Sequence, residues 1–335
     1  MTAADVRGVV DAALAWVSEE RERFVLPDEV LDSAGAVNTT WKPLGELAQV
    51  CSTALRHTTA PDPLHARAAD LLAFAWKQTG QGELLVRQQR REPFSTYPLE
   101  VYAAFASAGL RYEPFVSLSA RLTETRGRRL VEQVPVRRLG VLFAERHCGR
   151  HPEGEVPEVL GRTWLGGLPE PWAFERLSGY ALTHVVFHLT DWGRGGPGVP
   201  ADLVDYLELW LPPWLDTCLD AGLWDLACEL VAVAASLPVP FPVPADQAAS
   251  PPVPPEHAAS VAPGTPGPGL CAALDDAWTA LAAAQRPSGA IPEEAGGGDG
   301  EPAFLDCYHS TLMAAFAGVL TLGCRPAHDG EGAHA

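Results

Sequence analysis

His184, His188 and Asp191 stand at i, i+4 and i+7, a spacing that puts all three on one face of a helix. Two imidazoles four residues apart converge within about one helical pitch and can ligate one divalent ion, with the carboxylate as a further ligand. The same three residues also read as hydrogen-bonded core and cap residues. A second set lies near the C-terminus, where Asp306 and His309 are three apart. A carboxylate beside a histidine raises its basicity and fixes its tautomer, which suits a general base or a metal ligand. Asp306 reads equally as a helix cap. Glu46 and Glu100 follow Pro-Leu-Gly and Pro-Leu at two helix starts, so both can face one rim. Across a low-dielectric space two such carboxylates would separate in pKa and divide acid from base. As first-turn acids they would instead complement the helix dipole. The Arg-Gly-Arg-Arg run at 126–129, with Arg137 and Arg138, suits an anion clamp or a solvated face paired with Glu124, Glu132 and Glu145.

Helices must hold these residues. Helical periodicity dominates and strand alternation is scarce, so twelve helices are expected: 2–22, 42–57, 64–80, 97–109, 114–125, 129–147, 157–166, 177–191, 202–219, 222–236, 270–285 and 303–322. Pro43, Pro63 and Pro98 suit first helical turns, where a missing N–H costs nothing. STYPLEVYAAF (95–105) can be laid on SGYALTHVVFH (178–188), and CYHSTLMAAF (307–316) resembles both. Such similarity at alternate helices suggests six hairpins, arranged as an all-α (α/α)6 toroid around a central funnel. The inner helices would be 42–57, 97–109, 129–147, 177–191, 222–236 and 303–322. Glu229 and Asp225 are among the polar residues that recur in them. Residues 1–237 would supply five hairpins and 270–323 the last. Between them, 238–269 reads as a flexible Pro-rich insertion, and 324–335 as a disordered tail.

Two segments carry a family likeness. AWTALAAAQRPSGAIP (277–292) resembles the Gln-x-x-x-Gly-x repeat signature of terpene cyclases and protein prenyltransferase β subunits. DCYHSTL (306–312) is similar to the Asp-x-Tyr-His-Thr segment of those prenyltransferases, whose histidine is a zinc ligand. The resemblance implies the toroid fold, zinc as cofactor and His309 as a ligand, with Asp225 and Cys228 at the positions of the other two. The spacing here is Asp-x-x-Cys where the family has Asp-x-Cys. CLDAGLW (218–224) lacks the family's diphosphate-gripping bases, and no Asp-x-Asp-Asp motif is present. As a whole the chain resembles an actinobacterial family of single-domain toroids.

Composition narrows the classes. Among 335 residues, 24 Lys+Arg against 42 Asp+Glu give 24 − 42 = −18, which argues against nucleic acid or anionic membrane as partner. No long apolar run reads as a membrane span, and the N-terminus lacks a signal pattern. Seven scattered cysteines fit reduced thiols in a cytoplasm. The ten Trp read as packing between repeats. The expectation is an enzyme of bacterial specialised metabolism that binds a small, largely apolar substrate or a carrier-bound intermediate in the funnel. His309, Asp306, His184, Glu100 and Glu46 would be catalytic, and His184, His188, Asp191 and His309 would hold Zn²⁺. The rival is a non-catalytic toroid that binds a metabolite, peptide or carrier protein.

Overall fold

The computed structural model describes residues 2–31, 36–130, 132–152, 154–195, 198–237, 268–296 and 300–324. Among these the chain is all-helical, with fourteen α-helices, short 3-10 turns and no strand. In chain order the helices are α1 (Ala3–Glu19), α2 (Trp41–His57), α3 (Pro63–Gln78), α4 (Glu83–Arg91), α5 (Tyr97–Ser107), α6 (Glu113–Thr123) and α7 (Arg126–Leu130). They continue as α8 (Pro135–Arg146), α9 (Val156–Leu160), α10 (Arg176–Leu189), α11 (Ala201–Asp220), α12 (Trp224–Ser236), α13 (Pro268–Ala284) and α14 (Tyr308–Cys324).

Several starts follow the local chemistry. Asp62 caps α3 by accepting from the Leu64 amide at 2.9 Å, with Pro63 in the first turn. Pro98 plays the same part in α5. Other expected boundaries are corrected. The helix expected at 64–80 ends at Gln78, and α4 follows it after a turn through Gln81 and Gly82 at positive φ. The single helix expected at 129–147 is two, α7 and α8, because Pro135 cannot continue a hydrogen-bond ladder but opens a new one. The last helix starts at Tyr308 rather than at 303, after a 3-10 turn at Phe304–Asp306. The Pro-rich insertion lies outside the described residues apart from its last two, which sit in α13; the expected tail lies outside them beyond Cys324.

Six helices pack in succession: α2 on α5, α5 on α8, α8 on α10, α10 on α12, α12 on α14, and α14 back on α2. Against them lie α1 on α14, α3 on α2, α4 on α5, α9 on α8, and α11 and α13 on α12, while α6 packs on α4 and α7 on α6. This double coverage explains the composition of α12. Its central turns are buried on every side, and its Leu226, Leu230, Val231 and Val233 are fully enclosed. Each such side chain is worth about 1.5–3 kcal/mol on burial. A polar residue in that helix therefore needs a partner.

The Gln-x-x-x-Gly segment has a structural task. Gln285 Nε2 donates to the Val9 carbonyl at 3.1 Å and to the Gly289 carbonyl at 3.0 Å, tying the loop to α1. Gly289 sits at φ +99, and a Cβ there would stand 2.2 Å from the Ala12 carbonyl oxygen. Only glycine fits that approach. The following Ile291 amide donates to the Thr311 hydroxyl at 2.9 Å, which fixes the first turn of α14 and with it His309. Among the described residues, no helix is long and apolar enough to cross a membrane.

Candidate functional site

Between α2, α5, α8 and α10 lies a cavity of about 560 Å³, within the size range of small-molecule sites. Its wall is mixed: Val101, Phe143 and Trp192 are apolar, while Glu46, Glu100 and His184 are polar. Trp192 thus has a cavity role that reading the tryptophans as packing residues overlooked.

A cluster of buried charges continues from this wall into the interior. His309, at the start of α14, has only 12% of its side chain exposed. Its Nδ1 lies 3.2 Å from Glu46 Oε2 on α2, and its Nε2 lies 3.2 Å from Glu229 Oε1 on α12. Burial alone would lower the imidazole, but the two carboxylates outweigh it and hold His309 well above its ordinary value. Burial likewise pushes both carboxyl groups up, but the charge and hydrogen bond of His309, joined by Lys42 at Glu46 and by His184 and Thr183 at Glu229, together outweigh it and hold both below their ordinary values. His309 is therefore an imidazolium donating both N–H groups to carboxylates. Lys42 adds an ion pair to Glu46 at 3.8 Å. The hydroxyl of Thr183 donates to the other oxygen of Glu229.

His184 reaches the same carboxylate from the cavity side, with Nδ1 3.9 Å from Glu229 Oε2 and 41% of its side chain exposed. Its Nδ1 is also 2.7 Å from the Tyr180 carbonyl. A carbonyl only accepts, so Nδ1 carries a proton. His184 thus lines the cavity with one nitrogen tethered and a buried carboxylate at its back. Glu46, His309, Glu229 and His184 form one chain of four titratable groups with its two ends on the cavity wall.

The remaining expected residues are placed differently. Asp306 is exposed, and His309 takes Glu46 and Glu229 as its carboxylate partners. The i, i+3 geometry fails because Asp306 ends a 3-10 turn and Cys307, at φ −147, breaks the path into α14. Asp191 lines the same cavity as His184 and His188 but leaves their helical face. The helix ends at Leu189, and Asp191 and Trp192 turn into the left-handed region at φ 49 and 55. Asp191 Oδ1 is 3.1 Å from His147 Nε2 and 3.0 Å from Arg194. His188 stacks on Phe143, and burial, then the neighbouring His184 and Arg137, pushes it down to about 3. Glu100 takes both guanidinium nitrogens of Arg137, at 2.6 and 2.8 Å, and burial raises its carboxyl. Glu46 and Glu100 thus line one cavity with their carboxyl groups shifted in opposite directions. In the basic run, Arg128 is buried and donates to the Ser95 carbonyl at 2.7 Å.

The zinc ligands implied by the resemblance do not come together. Asp225 accepts from the Tyr180 hydroxyl and from the Leu226 amide. Cys228 is fully enclosed, and burial pushes its thiol up, away from the thiolate zinc requires. His309 has both nitrogens engaged. Among the described residues, no three or more His, Cys, Asp and Glu form a group that could hold a metal ion. Sequence reasoning passed over His147 and Tyr180 and left Glu229 unassigned. Glu229 had a signal: it is the one acid inside the apolar run LACELVAVAA, and a buried carboxylate must be paired.

Comparison with known proteins adds the family. The profile described as Domain of unknown function (DUF6895) matches residues 10–319. The chain belongs to that family. No curated protein matches it, and no solved structure matches it. In this DUF6895 chain, His309, Glu229, Glu46 and His184 all fall inside the matched span.

Proposed function

We propose that the six successive helices form an (α/α)6 toroid whose central cavity is the active site of a cytoplasmic enzyme, one that moves a proton on a small, largely apolar molecule. The cyclic order of helix packing supports the toroid, and free thiols at Cys51, Cys148, Cys218, Cys228, Cys271 and Cys307 support the compartment. The observation that carries the activity is the chain from Glu46 through His309 and Glu229 to His184. His184 Nε2 takes a proton from the substrate and the ring becomes an imidazolium. Glu229, fixed by Thr183 and His309, stabilises that charge in a poorly solvated setting. Cyclisations and dehydrations are reactions of this kind, as in specialised metabolism. No step is assigned to zinc.

The test is solvent exchange. A panel of neutral terpenoid- and polyketide-sized molecules is screened by native mass spectrometry, and binders are incubated with the protein in D2O. Deuterium should enter the bound molecule, and His184→Gln should remove at least about a hundredfold of the exchange rate while binding persists. Binding with no exchange, or equal exchange in the variant, would leave a non-catalytic toroid that binds a metabolite, peptide or carrier protein.

A further inference from the structure

A second histidine of the cavity has the organisation of a working group, and nothing so far assigns it one. His147 follows the last turn of α8 and lines the same cavity as His184. Its Nε2 is 3.1 Å from Asp191 Oδ1, and Arg194 Nη2 holds the same oxygen at 3.0 Å. With its amide turned to face the guanidinium, Gln49 accepts from both terminal nitrogens of Arg194, at 2.7 and 3.2 Å. A base oriented by a carboxylate, which is oriented in turn by a further group, is the arrangement that aims a ring nitrogen at a substrate.

The backbone adds an independent observation. Asp191 and Trp192 are consecutive non-glycine residues at positive φ, a conformation that costs on the order of 1–3 kcal/mol per residue. The turn is held there from outside. Thr53 donates to the Trp192 carbonyl at 3.2 Å, and His57 Nε2 meets the Gly193 carbonyl at 2.9 Å, both from α2. Leu320 of α14 lies where a Cβ on Gly193 would be, 2.3 Å away. Two neighbouring elements thus hold a strained turn whose two left-handed residues both line the cavity. Strain kept at a cavity wall points to function there.

We propose that His147, aimed by Asp191 and Arg194, is the acid partner of His184 toward a cavity ligand bearing a hydroxyl or carbonyl group. This rests on the reading of His184 as base. The rings are tethered through opposite nitrogens, His184 through Nδ1 and His147 through Nε2. In the proposed cycle His184 starts with one proton, on Nδ1, and His147 with one on each nitrogen, its Nε2–H toward Asp191. His184 Nε2 removes a proton from carbon or oxygen, and the electron pair left behind shifts within the substrate. Nδ1 of His147 delivers a proton to the new site, or to a hydroxyl that departs as water. The charges of the two rings are then exchanged, and solvent restores them. No oxidant or reductant is needed.

Carbethoxylation by diethyl pyrocarbonate tests this without a substrate, since the reagent is small and neutral and a histidine reacts with it only through an unprotonated nitrogen. Peptide mass spectrometry of the native protein across pH should find His147 and His184 modified and His309 spared. Asp191→Asn should move the pH midpoint of His147 reactivity down by about one to two units, because the imidazolium loses its counter-ion. The His184 midpoint should stay put. Modification of His184 with His147 inert, or an unmoved His147 midpoint in the variant, overturns the acid role and leaves the base role standing. If neither residue reacts, both proposals fall. In the D2O assay, His147→Gln should retain deuterium exchange yet lose product formation.

Discussion

His309 and His184 approach one carboxylate, Glu229, from opposite sides, and the contrast between them separates what holds the cavity from what acts in it. His309 is nearly enclosed, joins three helices and uses both nitrogens on carboxylates. His184 is partly open to the cavity and uses one nitrogen on a backbone carbonyl. A charge fixed behind the wall stays put and sets the local field, whereas a ring with one uncommitted nitrogen can exchange a proton with a ligand. The same residue type does either task, and its partners decide which.

If that division is right, damage to the buried side should appear as lost stability. Glu229→Ala leaves an imidazolium short of one counter-charge in the interior, and should cost about 3–5 kcal/mol in urea unfolding. A cost below about 1 kcal/mol would mean that the buried charges are not coupled. Next in size is the loop that seats α14. Gly289→Ala meets both positive φ and the Ala12 carbonyl, and should cost about 2–3 kcal/mol by the same measurement. A wild-type midpoint would show that the loop yields and does not fix His309.

The pH dependence of stability sharpens the contrast further. His309 is raised above its ordinary 6.5, so its contribution is complete below that value and is lost as pH climbs through the raised one. Glu46 and Glu229 are depressed below their ordinary 4.5, so theirs is complete above it and is lost as pH falls through the depressed values. Urea midpoints should therefore form a plateau between the ordinary carboxyl value of 4.5 and the ordinary histidine value of 6.5, with a decline above it that His309→Gln abolishes. A decline centred near the ordinary histidine value would contradict the pairing. The smallest effect belongs to the open side: His184→Gln should change stability by less than about 1 kcal/mol. Treatment with a chelator should likewise leave the wild-type melting temperature unchanged, and a clear drop would restore the metal reading.

Much of the frame was legible in the chain. The similarity among 95–105, 178–188 and 307–316 marks the first turns of α5, α10 and α14, with Tyr97 and Tyr308 opening their helices and Tyr180 four residues after the start of α10. The helices expected to be inner ones are those that pack in succession. The site was legible only residue by residue. His184, His309 and Glu46 stood out as polar groups in apolar helices, but their partners did not. Glu46 and His309 are 263 positions apart, and no local periodicity carries that pairing. Asp191 was assigned to the face of His184 because the helix was extended two residues too far. The left-handed turn that redirects it to His147 comes from tertiary contacts with α2 and α14, not from any glycine at that position.

What separates the two histidines is where their protons are. Long-range ¹H–¹⁵N spectra at pH 8, assigned with His309→Gln and His184→Gln, report each ring directly. The prediction is an imidazolium at His309, with both nitrogens protonated, and a neutral ring at His184 carrying its proton on Nδ1. A His309 ring with one unprotonated nitrogen, or a His184 ring protonated on Nε2, would contradict it.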